Sequence, residues 1–394
     1  MSMAFETAAW AQQTTPFCTG QQCRQTRELL KNLCDYIVQN KATVSKIFIG
    51  GYYMRTLVAG YEIFGDKRYL DTAVKYADYL LAHQMPTGFW KTGYGPVYLA
   101  DTGSALGLMV ALYQHVDPER QRAYLRAVER FTTSIQQDGM IHPWGALGTG
   151  WRATKGDALE DPIYDQYTLS SALTGAEIFT WMYHITGRDE YREVSYHALK
   201  WVFSTMRTDG NIPYILAEQG RDWQRRDDPK VADALWNTYT YGTAAYVGEG
   251  ILSFDLYCGN SSWQKWIEKA VKPNIEFLLR NQLPDGTWST SGQGSWDRSR
   301  SVGIVDYLIW YYEHVDRDPR VAYSMARWDA YVLKPEHAKA YGLLNAGADP
   351  GPDPRLESGA DPGPENHAYS FNITTALTGR ALADILLPGV DARW

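Results

Sequence analysis

The sequence lacks the features that define several large classes of protein. It has four cysteines in 394 residues, too few for a disulfide scaffold, and CTGQQC has neither zinc-finger nor redox spacing. We expect buried or loop thiols, and the sequence does not decide whether one disulfide forms. No apolar run is long enough to cross a bilayer, and no export signal opens the chain. A cytoplasmic location is therefore favoured, or a secreted or periplasmic one if the N-terminus has been trimmed.

Basic charge and the common cofactor motifs are also missing. The formal net charge is −7, whereas a nucleic-acid binder would carry a basic surface. The sequence has no Gly-rich phosphate loop, no nucleophile elbow and no Asp-rich magnesium motif, and no two of its eight histidines have metal-ligand spacing. We therefore expect no metal, no cofactor, no nucleic-acid partner and no membrane partner, in a monomer or homodimer.

Aromatic residues and a repeated turn sequence are abundant instead. Aromatics make up 14% of the chain, with 15 Trp and 28 Tyr, and such rings are stacking platforms in sugar-binding clefts. The stretch NQLPDGTWSTSG at 281–292 has a near copy, HQMPTGFWKTG, at 83–93, and looser versions begin at Gln136 and Arg207. Four occurrences of one turn sequence indicate an architectural repeat.

Helical periodicity covers most of the chain, and the connections alternate in length. The short connections each carry a good N-cap, whereas the long ones span 85–98, 138–164, 206–237, 281–298 and 335–366. Long loops in compact domains usually carry function. Twelve helices are predicted: 23–39, 45–64, 67–84, 99–116, 119–137, 165–187, 190–205, 238–257, 261–280, 299–315, 319–334 and 367–387.

The helices that follow the long loops are rich in small residues, as in DTGSALGLMVAL and YTLSSALTGAEIF, whereas their partners are amphipathic. Several Gly in one helix indicate close approach to neighbours, because each costs about 1 kcal/mol relative to Ala. We therefore predict an all-α fold, an (α/α)6 toroid or barrel of six helical hairpins without a β-domain. Residues 1–22 form an N-terminal extension, and residues 23–394 a single catalytic domain.

This organisation resembles the six-hairpin glycosidase superfamily, and most of all the unsaturated glucuronyl and rhamnogalacturonyl hydrolases. The residues that match their catalytic carboxylates are Asp101 in VYLADTGSALG and Asp165 in EDPIYDQYTLSSALTG. The resemblance implies that Asp165 protonates the double bond of an unsaturated uronyl residue and activates water, while Asp101 positions water or substrate. An ordinary glycosidase would use the same pair. Each Asp could also be a simple helix cap. The sequence departs from the family at Ala100, where His is usual. It also has WNTYTYGTAAY where the family has an Arg-Gly-containing signature on the fourth inner helix.

Other residues on the long-loop face fit a cleft for a uronic-acid-containing oligosaccharide. Arg offers a planar fork for carboxylate, and about half of the rings are expected only to pack the loops. Tyr52, Tyr53 and Arg55 are weaker candidates of the same kind. The candidate substrate-binding residues are Trp90, Tyr94, Tyr98, Trp144, Trp151, Arg152, Asp161, Trp236, Tyr239, Trp288, Trp296, Arg298, Arg300 and His367.

Three alternatives remain open at this point. The segment NHAY at 366–369 suggests lyase or epimerase chemistry by Asn, His and Tyr, although a capping network explains it as well. The aromatic content also suits an isomerase or cyclase of apolar substrates. A toroid can also bind glycans without catalysis, because fold does not fix function.

Overall fold

The computed structural model describes residues 15–40, 47–90, 96–212, 244–288, 294–340 and 367–390. Helices dominate these residues, as the periodicity predicts. They are α1 Gly20–Asn40, α2 Ile47–Phe64, α3 Lys67–His83, α4 Leu99–Leu112, α5 Pro118–Gln137, α6 Thr168–Ser170, α7 Phe179–Thr186, α8 Asp189–Ser204, α9 Ala244–Cys258, α10 Ser261–Ala270, α11 Lys272–Asn281, α12 Gly294–His314, α13 Pro319–Val332, α14 Pro335–Ala340 and α15 His367–Leu386. A π-helix, Ser171–Ile178, joins α6 to α7.

Six helical hairpins close into a ring, which confirms the predicted toroid. The inner wall consists of α2, α4, α6 to α7, α9, α12 and α15, and each packs against the next until α15 meets α2. The outer wall consists of α1, α3, α5, α8, α10 with α11, and α13. The N-caps Asp66, Asp117, Asn260 and Asp318 accept backbone N–H bonds, so the short connections start helices as expected.

The two walls bury their residues differently. Nearly all of α4 is buried, whereas α3 buries only the stripe Tyr69, Ala73, Ala77 and Leu80. Small residues let the inner helices approach closely: a Cβ at Gly51 would lie 2.7 Å from the carbonyl oxygen of Ser104. In the described part of the chain, no helix combines the length and apolarity needed to cross a membrane.

The repeated turn sequence has one structure in its two best copies. Trp90 Nε1 donates to the carbonyl oxygen of Leu80 at 2.8 Å, and Trp288 Nε1 to that of Leu278 at 2.7 Å. Gly88 and Gly286 have φ of 84° and 96° in the turn, which suits glycine. Each copy thus folds the loop back over the end of its outer helix.

A small sheet lies in the region expected to be structureless. Its antiparallel strands are β1 Val97–Tyr98, β2 Gly150–Lys155 and β3 Ala158–Ile163, in the order β1-β2-β3. Val97 pairs with Trp151, and Trp151 pairs with Pro162. The strands are too short and polar for a clear periodic pattern, so the sequence did not indicate them. They attach the loop between α5 and α6 to the start of α4.

The first and last described segments of the chain meet where the ring closes. Thr56 Oγ1 on α2 donates to the carbonyl oxygen of Ala376 on α15 at 3.1 Å, and Thr15 Oγ1 donates to that of Ile385 at 2.9 Å. A disulfide joins Cys18 to Cys23 just beside this contact. The one disulfide that the sequence left undecided is therefore present.

A buried carboxyl group joins α1 to α13 within the outer wall. Asp329 of α13 is fully buried and accepts hydrogen bonds from Gln22 Nε2 at 2.7 Å and Thr26 Oγ1 at 3.0 Å. Burial raises the pKa of Asp329 to about 7, although both donors favour its charged form.

This pKa makes stability depend on pH. An Asp in the unfolded chain has a pKa of about 3.9, so the folded state binds the proton more tightly. The contribution of the Asp329 carboxyl group to the free energy of unfolding is complete below about pH 4. It is lost as the pH rises through about 7, and it is on the order of 4 kcal/mol in total. The free energy of unfolding, measured by urea denaturation, should differ less between pH 5 and pH 8 for Asp329→Asn than for the wild type. Equal changes in the two proteins would contradict this assignment.

Candidate functional site

Asp101 and Asp165 both lie where an inner helix begins. Asp101 occupies the first turn of α4, and Asp165 precedes α6. The N-cap residues of these helices are Tyr98 and Tyr167, and neither makes a side-chain cap hydrogen bond. Both aspartates are partly exposed. Neither is therefore the N-cap residue of its helix.

Thr149 holds the two aspartate-bearing segments together. Its carbonyl oxygen accepts from Leu99 N at 3.0 Å, two residues before Asp101, and its Oγ1 donates to the carbonyl oxygen of Asp165 at 2.9 Å. Its own N donates to Ile163 O at 3.0 Å. Segments 64 residues apart in sequence, from 101 to 165, therefore meet at one end of the toroid.

An exposed aromatic rim flanks Asp165. Trp144 is 49% exposed and stacks on His142, with ring centroids 5.0 Å apart. Its Nε1 donates to Gln166 Oε1 at 3.2 Å, and His142 Nε2 lies 2.7 Å from the carbonyl oxygen of Tyr164. Tyr164 itself is 48% exposed. Tyr164 and Gln166 adjoin Asp165 but were not among the candidates that the sequence indicated.

Three other predicted stacking rings are buried. Trp90, Trp151 and Trp288 are each no more than 3% exposed. Trp90 and Trp288 are held by the hydrogen bonds of the repeated turn, and Trp151 packs edge-on against Phe89 at 4.8 Å. These rings pack the loops and present no free face to a sugar.

The hairpin of β2 and β3 places polar candidates on an exposed surface. Arg152 is exposed and forms no ion pair with any described residue. Asp161, also exposed, has a φ of 54°, which is uncommon for a residue other than glycine. Tyr98, at the end of β1, is partly buried.

The remaining candidates lie beyond what the structure describes. Tyr94, Trp236 and Tyr239 are outside the described residues. The backbones of Trp296, Arg298 and Arg300 belong to α12, and that of His367 begins α15, but the described part does not include their side chains. Their roles in substrate binding stay predictions.

A buried network of charges crosses the interior of the toroid. Arg55 of α2 contacts Glu177 of the π-helix, Nη2 to Oε1, at 2.8 Å, and Glu249 of α9 at 3.4 Å. Arg380 of α15 contacts the other oxygen of Glu249 at 2.6 Å. All four side chains are at least 97% buried. Arg55 was a weak candidate for binding a substrate carboxylate, but two carboxylates of the protein occupy it.

Two more carboxyl groups extend this network. Asp306 of α12 and Asp384 of α15 are both buried, which gives four carboxyl groups against two guanidinium groups. Among the residues that the structure describes, Asp306 Oδ1 has no hydrogen-bond partner. Burial, and then the charge of Asp384, raises the pKa of Asp306 well above its usual range. A proton on Asp306 therefore lowers the excess negative charge at neutral pH.

The network lies beneath the two aspartates. A Cβ at Gly107 would be 2.6 Å from Arg55 Nη1, which places the guanidinium beside the third turn of α4. Gly107 follows Asp101 by six residues, or about 9 Å along a helix axis. Between them, Ser104 Oγ donates to Tyr52 OH at 3.1 Å, and Arg380 lies 5.1 Å from the centroid of the Tyr52 ring. The interior below Asp101 is therefore strongly polar.

The π-helix contributes to this arrangement. It covers Ser171–Ile178, all of whose residues are buried, and it presents Glu177 to Arg55. π-Helical turns are rare and are found frequently at functional sites. Among the described residues, no group of three or more His, Cys, Asp or Glu side chains is arranged to hold a metal ion.

Solved structures share this architecture over most of the chain. A type II terpene cyclase from Scytonema, solved as an Asp-to-Asn variant with its substrate geranylgeranyl dihydroxybenzoate, is 13% identical, with a TM-score of 0.56 over 93% of this chain and 98% of that one. An inactive variant of an α-1,6-mannanase of Salegentibacter, with two Asp-to-Asn changes and bound α-1,6-mannotriose, is 15% identical, with a TM-score of 0.56 over 91% and 99%.

A sugar enzyme with isomerising activity has the same fold. Cellobiose 2-epimerase from Bacillus thermoamylovorans is 11% identical, with a TM-score of 0.53 over 73% of this chain and 75% of that one. No family model matches the sequence, and no curated protein matches it. At such low identities these similarities establish the fold, an (α/α)6 toroid of six helical hairpins, and leave the substrate open.

Proposed function

We propose that the protein is a carbohydrate-active enzyme, a glycoside hydrolase that uses Asp101 and Asp165 at the loop-bearing end of the toroid. The observation that carries this proposal is the pairing of their segments through Thr149, with both side chains partly exposed. Hydrolysis of a glycosidic bond needs two carboxyl groups, one to protonate and one to act as base or nucleophile. Two partly exposed carboxyl groups at the loop-bearing end of the toroid meet that requirement.

The surroundings of Asp165 favour a sugar over an apolar substrate. Trp144 and Tyr164 expose ring faces next to it, and Gln166 offers an amide. The charged network about 9 Å below Asp101 makes the interior under this end of the toroid an unfavourable environment for a hydrocarbon chain, because charges are costly to leave next to apolar groups. This polarity counts against a cyclase of apolar substrates, although a terpene cyclase shares the fold.

The preferred substrate in this proposal is a uronic-acid-containing oligosaccharide, including one with an unsaturated terminal uronyl residue. In that case Asp165 would give its proton to the double bond and then accept one from the attacking water, which Asp101 would position. Arg152 favours a negatively charged substrate, because it is an exposed guanidinium without an ion-pair partner among the described residues.

Arg152→Ala should therefore raise KM for an acidic oligosaccharide about fivefold, since an exposed ion pair contributes up to about 1 kcal/mol. KM for the carboxyl-reduced analogue should stay unchanged. Lys155→Ala is the matched control, an exposed cation on the same strand. Equal losses on the acidic and the reduced substrate would show that Arg152 does not bind the carboxylate. Arg298 and Arg300 are predicted to hold the same group.

One assay separates this proposal from the alternatives. The protein is incubated with a panel of neutral, uronic-acid and unsaturated uronyl oligosaccharides, and with an isoprenoid substrate, and products are followed by mass spectrometry. A hydrolase adds one water per bond cleaved, a lyase leaves an unsaturated end, and an epimerase or cyclase gives products of unchanged mass. Binding without turnover would indicate a glycan-binding protein. Any of these last outcomes would replace the hydrolase proposal.

A further inference from the structure

A groove on the outer wall is separate from the site at Asp101 and Asp165. It has a volume of about 380 Å³ and lies between α11 and α13. Its floor and sides combine three arginines with an exposed ring. The lining residues are Glu276, Leu279, Arg280, Gln282, Arg320, Tyr323, Ser324 and Arg327.

The groove has an excess of positive charge. Arg320 is neutralised, because it contacts Glu276 at 2.6 Å and Asp318 at 2.5 Å. Arg280 donates to the carbonyl oxygen of Asp209 at 2.9 Å, and Arg327 donates to that of Leu283. Neither Arg280 nor Arg327 forms an ion pair with a described carboxylate. Each guanidinium has five N–H donors, so most remain available to a ligand.

Two further groups suit a saccharide. Tyr323 is 66% exposed, and Arg327 lies 5.5 Å from its ring centroid, so the ring is held in place by the cation. Ser324 is 2% exposed, and its hydroxyl has no hydrogen-bond partner within the described part of the chain. Buried hydroxyl groups normally have partners, so this one is a free donor or acceptor beside the groove.

The first copy of the repeated turn shows that the fold does not require these groups. Gln84 and Gln282 make matching bonds, Gln84 Nε2 to Ala127 O at 3.0 Å and Gln282 Nε2 to Ser324 O at 3.0 Å. In the first copy, however, Ala127 stands in place of Ser324. By the same alignment, Arg126 replaces Tyr323 and Ala82 replaces Arg280. The ring, the hydroxyl and one guanidinium are thus additions to a scaffold that folds without them.

We propose that this groove is a second binding site for an acidic saccharide. The carboxylate of the ligand contacts Arg280 and Arg327, and a sugar face stacks on Tyr323. The inference rests on the proposed function for the class of ligand, but it requires no catalysis by Asp165. Gln282, which lines the groove, is the C-cap of α11.

The test is calorimetric titration with hexagalacturonate in the Asp165→Asn background, which prevents turnover. Two classes of site are expected for the parent protein, and one class should weaken at least tenfold in Arg280→Ala/Arg327→Ala, since the change removes charge-assisted hydrogen bonds to the ligand carboxylate. Tyr323→Ala should weaken the same class. Arg130→Ala is the matched control, because Arg130 is the counterpart of Arg327 in the first copy.

The outcomes are distinct for the two proposals. Loss of the groove class alone, with kcat on a short oligosaccharide unchanged in an Asp165-containing protein, supports the second site. A single class that disappears only on changes near Asp101 would overturn the second site and leave the proposed function intact. Equal losses in Arg130→Ala, or no binding of hexagalacturonate by the parent, would also overturn it. Circular dichroism of each variant should match the parent.

Discussion

Asp165→Asn is expected to lower kcat by about 10²–10⁴-fold, the usual contribution of a positioned general acid or base. The amide keeps the shape of the side chain but cannot donate or accept the catalytic proton. The melting temperature should stay close to that of the wild type, because Asp165 is partly exposed and is not the N-cap of α6. Initial rates on the substrate found in the panel, together with a thermal melt, measure both quantities.

The companion change and the control make this result specific. Asp101→Asn should also reduce kcat, and the double variant should be little worse than the stronger single one, because groups that act as a unit are not additive. Asp138→Asn is the control, since Asp138 is an exposed carboxylate at the end of α5. Full activity in Asp165→Asn would remove Asp165 from the mechanism, and a large fall in melting temperature would make its role structural.

Arg55→Met should cause the largest loss of stability, about 3–5 kcal/mol of unfolding free energy. The change removes the cation between Glu177 and Glu249 and leaves buried negative charge uncompensated. Denaturation by urea at pH 7, followed by circular dichroism, measures the loss. The reason is the burial of the ion pairs, since exposed pairs of the same geometry contribute little.

An exposed pair and a double variant provide the comparison. Arg68 contacts Asp66 at 2.6 Å but is 59% exposed, so Arg68→Met should change the urea midpoint little. Adding Glu177→Gln to Arg55→Met should recover part of the loss, because it removes one of the stranded charges. If Arg55→Met is no worse than Arg68→Met, the charged network does not hold the inner helices together.

The toroid could be predicted from sequence because its signals are local. N-caps such as Asp117 and Asp318, the small residues of the inner helices and the alternation of short and long connections each depend on neighbouring residues. The twelve predicted helices correspond to the six hairpins of the structure, with α10 and α11 sharing one of them. The hairpin of β2 and β3 escaped prediction because short, mostly exposed strands have no strong pattern.

The interior network could not be predicted, because its members are far apart in sequence. Arg55 and Glu249 are separated by 194 residues, and Arg380 follows Glu249 by another 131. Each is a single charge within a small-residue helix, which says that a partner exists but not which one. The burial of Trp90 and Trp288 could not be predicted either. A Trp in a loop gives the same sequence pattern whether its ring packs inside the protein or stacks on a sugar.

The closure of the ring between α2 and α15 also sets the order in which the protein can fold. During synthesis the first five hairpins emerge before α15, so the inner face of α2 and the carboxylate of Glu249 wait for Ala376 and Arg380. Until then the nascent protein is an open arc, and Glu249 has only one of its two cationic partners. Such late, long-range contacts slow folding and leave partly folded chains exposed to aggregation. The last hairpin to be made is therefore the one on which the stability of the first depends.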